Sequence, residues 1–271
     1  MTTGANRQAR KRRRFICANF TPKNDTLAEH DTSLISPTPP PVPVFPQQLT
    51  DPKLSLDEKI WRIQSFINAF QYNYTGKSFF KKDMRRDRGI NHITNIAKDI
   101  MRQALPIQCV EALFLGIHLT NTMKNELIRI PITFESISSN EWHSHIVLGL
   151  KALKGRGGTR KDERWGALGI SRIPSLMYKE LKFEKLASLL KNYQHAYNDS
   201  GHVLERISLG TPFPCEAYAG DRPKWRTSVI EMSEVDKQNL CDVVSETHAE
   251  ECQRAYNHYL KHGHFPPWRI A

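Results

Sequence analysis

Apolar residues recur at 60, 63, 67 and 70 in SLDEKIWRIQSFINAFQYNY, behind Ser55. That spacing, with a serine placed to cap the first turn, predicts an amphipathic helix. A second helix is predicted over about 92–104. A third begins at Cys109, where the apolar run CVEALFLGIHL opens three residues after Pro106. The pattern then shifts to alternation with β-branched residues, predicting strands near 129–135, 143–150 and 164–171. Helical spacing returns in FEKLASLLKNYQHAY, with apolar residues at 183, 186, 190, 193 and 197. HVLERISLG (202–210) and KWRTSVIEM (224–232) read as further strands. A long terminal helix is predicted behind Ser233, with Leu240, Val244, Cys252, Tyr256 and Leu260 on one face. The order describes an α+β chain, a helical N-terminal half packed on an antiparallel sheet with C-terminal helices.

Composition divides the chain in two. Residues 1–49 read as a basic, Pro-rich extended segment, and 50–271 as one globular domain. SPTPPPVPVFP (36–46) favours an extended polyproline conformation, either a linker or a strap laid on the domain. The net charge is +11, and six basic residues with no acidic one fall within the first 15 positions. Such an arm suits nuclear targeting, nucleic acid or another polyanion. No apolar run approaches the roughly 20 residues that span a bilayer, and no secretory segment follows the basic start, so a soluble protein with no membrane partner is expected. Five widely spaced cysteines (16, 109, 215, 241 and 252) contain no CxxC, which suggests a reducing compartment and neither a disulfide framework nor structural zinc. Cys241 and Cys252 fall on the terminal helix and read as structural.

Cys109 changes the picture. A helix N-terminus presents unpaired NH groups and partial positive charge, which favour thiolate and lower a cysteine pKa from about 8.5 toward 3.5–7.5. A buried core cysteine is the alternative. His145 follows on a predicted strand and Ser171 on the next. A helix-borne cysteine, then a histidine and a third polar residue on adjacent antiparallel strands, is the order of a papain-like or transglutaminase-like thiol site. His143 and His145 also form an HxH on one strand face, but no third metal ligand is identifiable and no cofactor is expected.

The segments QYNYTG (71–76), ALPIQCVEAL (104–113), LGIHLTN (115–121), HIVLGL (145–150) and WGALGISR (165–172) resemble the signature blocks of the vasohibins, transglutaminase-like tubulin-tyrosine carboxypeptidases. The resemblance implies that Cys109 is the nucleophile, His145 the general base and acid, and Ser171 the third member. Ser171 and Arg172 are adjacent and would face opposite ways on a regular strand. Either the strand bends there, or Ser171 supports His145 through its backbone carbonyl, which is the expectation adopted. The resemblance further implies that Tyr72 donates to the oxyanion, with Tyr74 a weaker candidate, and that Arg172 and Arg88 hold the substrate carboxylate. Gln108 stands where the animal family carries a lysine.

The same resemblance implies that the α-tubulin C-terminal tail and microtubules are partners, and that a small helical vasohibin-binding protein clasps the N-terminal helices near Trp61. It places the protein in the cytoplasm on microtubules, with nuclear targeting left open by the basic arm. The 151–164 segment, longer than the animal pattern, reads as a basic hairpin tip or a solvated loop. Two alternatives remain at this stage: a microtubule-binding relative weakened or inactivated by Gln108, and a basic nucleic-acid-binding protein, which would leave the Cys, His and Ser blocks unexplained.

Overall fold

A computed structural model describes residues 42–47, 49–80, 88–153, 163–215, 222–232 and 237–268. The basic arm, the 81–87 stretch, most of the 151–164 insertion and Ser233 lie outside the described residues. Three helices come first: α1 (Leu56–Ala69), α2 (Ile90–Gln103) and α3 (Cys109–Leu119). Ser55 caps α1 as its position predicted, its side chain accepting from the Glu58 amide at 3.2 Å. The sheet strands are β1 (Leu127–Ser138), β2 (Glu141–Ala152), β3 (Trp165–Leu168), β4 (Lys179–Phe183), β5 (Val203–Leu209) and β6 (Ser228–Glu231). Helix α4 (Leu186–Asp199) precedes β5, and α5 (Lys237–His262) follows β6.

The strands form one antiparallel sheet in the order β4-β3-β2-β1-β5-β6. Strands β1 and β2 pair along their whole length and turn through Ser139 and Asn140, both at positive φ, the twist that a two-residue hairpin demands. Alternation then sorts the side chains into two cores. Ile146, Leu148 and Leu150 pack with α1, α2 and α3. Ile130, Ile132, Phe134 and Val147 pack with α4 and α5 on the other face. The architecture is α+β, with helices on both faces of the sheet, and consistent with the transglutaminase-like class.

Two predicted elements differ. The strand expected over 164–171 ends at Leu168, and the helix expected from 183 starts at Leu186, because Lys179–Phe183 first forms an edge strand on β3. Gly166 permits that pairing: a Cβ there would stand 2.6 Å from the Lys179 carbonyl oxygen. Before α1, the chain from Val42 to Pro46 lies as a strap, with Phe45 edge-on to Phe66 of α1 at 5.9 Å.

Candidate active site

Cys109 is the first residue of α3 and 3 % exposed. Its helix start is tied down from two sides. Glu111, buried in the first turn, accepts from the Gln108 amide at 3.3 Å and from Ser78 Oγ at 2.7 Å. A carboxylate there also complements the positive end of the helix. Two residues before the cysteine, Ile107 pairs with the QYNYTG segment: its amide donates to the Gln71 carbonyl and its carbonyl accepts from the Asn73 amide. Tyr72 is thereby fixed beside the start of α3. Buried Asn73 shapes the turn beyond, donating to the Lys77 carbonyl and accepting from the Thr75 amide.

His145 lies on β2 and is buried, its ring stacked on Phe134 at 6.4 Å. Its Nε2 meets the Leu176 carbonyl oxygen at 2.8 Å. A carbonyl only accepts, so Nε2 carries the proton and Nδ1 bears the lone pair. Burial pushes the imidazole down to about 4, partly offset by that hydrogen bond. The ring is therefore neutral near pH 7.

Leu176 ends a single 3-10 turn, Pro174–Leu176, whose backbone is closed by the Leu176 amide on the Ile173 carbonyl. The carbonyl bonded to His145 is thus five residues beyond the expected one. Ser171 does something else: its Oγ accepts from the Ile173 amide at 3.2 Å and shapes the turn. The chain has left the sheet after Leu168, so Ser171 and Arg172 both line one cavity with Tyr72, His145 and Leu176. The bend set aside on sequence grounds is the one adopted. Cys109, Gln108 and Arg88 do not line that cavity. Arg88 is exposed just ahead of α2, and Gln108 Nε2 is buried without a hydrogen-bond partner.

Arg172 is held by aromatic rings. Its guanidinium lies 5.5 Å from the Tyr72 ring centroid and 5.4 Å from that of Tyr74, and Nη2 donates to the Tyr74 carbonyl at 3.1 Å. Its Nε is buried and unpaired. Cation–π contact with two neighbouring rings, 5.1 Å apart, holds the guanidinium in place without neutralising it. The sequence model of the vasohibin family matches residues 6–252. The chain belongs to the vasohibin family. It is 35% identical over 201 residues to mouse "Tubulinyl-Tyr carboxypeptidase 1", an alignment that covers 74% of this chain and 49% of the mouse protein. This vasohibin chain thus spans about half the length of that relative.

Three residues important to this vasohibin site were not singled out in the sequence. Leu176 acts through its main chain, which its side-chain type does not report. Gln64 sits among Ile60, Ile63 and Ile67 on α1, and is 3 % exposed. Its Nε2 donates to the Gly169 carbonyl at 2.8 Å and its Oε1 accepts from the Gly169 amide at 3.1 Å. That pair replaces strand pairing where β3 has ended, and so fixes the departure of the Ser171–Arg172 turn. A glutamine inside the apolar stripe was its signal. Glu111 carried a similar one, an acid at the third position of an otherwise apolar helix.

The remaining cysteines on α5 are structural in character. Cys241 and Cys252 are buried, and burial pushes both thiols up. His143 engages the Ser138 carbonyl through Nε2 at 3.4 Å and lies edge-on to His202 at 5.0 Å.

Proposed function

We propose that this protein is a cysteine carboxypeptidase that removes the C-terminal tyrosine of α-tubulin. The observation that carries the reading is Arg172, a cation with an unpaired buried Nε at the cavity that His145 lines. Paired hydrogen bonds to a terminal carboxylate suit a guanidinium. The similarity to the mouse protein supports tubulin as the substrate.

In this mechanism Cys109 sulfur attacks the carbonyl carbon before the terminal residue as its proton passes to His145 Nδ1. Leu176 holds the imidazole by its carbonyl and stabilises the positive charge that develops, a task given to a carboxylate in other triads. The Cys109 amide and Tyr72 hydroxyl stabilise the oxyanion. His145 then protonates the departing amine, and water hydrolyses the thioester. Gln108 Nε2 assists the carboxylate as a neutral donor, with Arg88 contributing charge.

The groove between the 42–46 strap and α1, where Trp61 is 60 % exposed, supports docking of a small helical partner. Microtubules in the cytoplasm are the setting this reading requires. The test pairs two deletions of the same contact. Arg172→Ala and amidation of the peptide C-terminus should each lower kcat/KM by about 10- to 100-fold, the loss of a charge-assisted bond of about 1.5–3 kcal/mol. Together they should cost much less than their sum. Equal cleavage of amidated and free peptides would end the carboxypeptidase assignment.

A further inference from the structure

The cavity has a second end that the proposed reaction has not used. Beyond His145 it is lined by Ser136, His143, Ser144 and His202. His143 and His202 are 6 % and 2 % exposed. His143 donates from Nε2 to the Ser138 carbonyl at 3.4 Å, which leaves its buried Nδ1. His202 engages Ser136 Oγ through Nδ1 at 3.1 Å, which leaves Nε2. Among the described residues, His143 Nδ1, Ser144 Oγ and His202 Nε2 have no hydrogen-bond partner.

Leaving a buried polar atom unpaired costs about 1–3 kcal/mol; Ser144 faces the other side of β2 from His143, so the two imidazole nitrogens, edge to edge in one cavity, mark a place for a small polar molecule. Size selects which. The cavity leaves about 20 Å³ for the centres of water-sized molecules, close to the roughly 10–15 Å³ that one water needs, and a bound water makes two to four hydrogen bonds. Burial, and then the neighbouring His143, hold the His202 imidazole below its usual range, so the chamber favours a neutral guest.

We infer that His143 and His202 hold the water that hydrolyses the Cys109 thioester, as positioning residues for the second half of the reaction. The inference rests on the cysteine carboxypeptidase reading. Water oxygen adds to the thioester carbonyl carbon while His145 Nδ1 takes one of its protons. The tetrahedral intermediate then breaks its C–S bond, the shortened peptide leaves as the acid, and the proton on His145 returns to Cys109 sulfur. His145 lines the same cavity, and water is a reactant only in the hydrolysis of the thioester, so its loss affects deacylation and not the first attack.

Steady-state kinetics on an acidic peptide ending in free tyrosine, with His143→Phe, His202→Phe and His202→Gln, tests this. His143→Phe and His202→Phe should lower kcat about tenfold and lower KM in proportion, leaving kcat/KM nearly unchanged. A peptide adduct on Cys109 should accumulate in acid-quenched samples, and hydroxylamine should speed these variants more than the wild type. His202→Gln, which keeps a polar group, should recover part of kcat. A fall in kcat/KM without adduct, or no change in any parameter, overturns the inference. If His202→Phe fails to fold, the other two variants decide by the same readouts. A wild-type protein that cleaves no peptide overturns the carboxypeptidase reading and this inference with it, whereas normal partitioning in the variants overturns this inference alone.

Discussion

Cys109 and His145 are expected to act as one unit, so Cys109→Ala and His145→Ala should each abolish cleavage, and the double variant should be no worse than either. Turnover assays on the acidic peptide, with circular dichroism to confirm folding, check this; residual activity above about a tenth of wild type in Cys109→Ala identifies a different nucleophile. Ser171→Ala should retain most activity, because the carbonyl that meets His145 belongs to Leu176. At this scale the candidate side chains were legible by type and block, since Cys and His are residue types suited to a nucleophile and a base. The third contact was not. Any residue supplies a carbonyl, and only the path of the chain after Leu168 decides which one arrives.

Gln64 links the two elements that frame the site, α1 and the end of β3. Gln64→Leu should destabilise by about 1–3 kcal/mol, because the Gly169 amide and carbonyl lose their partners in a buried setting. It should also raise KM more than it lowers kcat, since the turn that presents Arg172 is loosened; urea denaturation and peptide kinetics measure the two effects. Periodicity located the helices and long strands because each has one or two apolar faces to bury. It overran β3 because Ile170 is buried beyond the last paired residue, and burial without pairing looks the same in sequence. It missed β4 because KELKF is an edge strand with only Leu181 buried, too weak an alternation to stand beside the helix that follows.

Across the molecule, several histidines are buried in neutral form. His145 and His248 are held down to about 4, each by burial, opposed by hydrogen bonds to the Leu176 and Gly210 carbonyls. Between the ordinary value of 6.5 and about 4, the unfolded chain binds protons that the folded one refuses. Stability is therefore complete above about 6.5 and falls as pH drops through that window, by about 1.4 kcal/mol per pH unit for each imidazole. Unfolding free energies from urea titrations at pH 7 and 5 should differ by about 2–4 kcal/mol, and His248→Gln should reduce the difference; equal values would show that these rings titrate normally. Arg129 adds a constraint of another kind. It is wholly buried on β1, donates to the Ile117 carbonyl at the end of α3, and donates to the Pro214 carbonyl at 2.7 Å. The helix that starts at Cys109 is thus finished by residues about a hundred positions later. During synthesis Cys109 emerges from the ribosome long before the segment that locks its helix, so a nascent chain stalled before Pro214 carries the cysteine but not the fold that holds it.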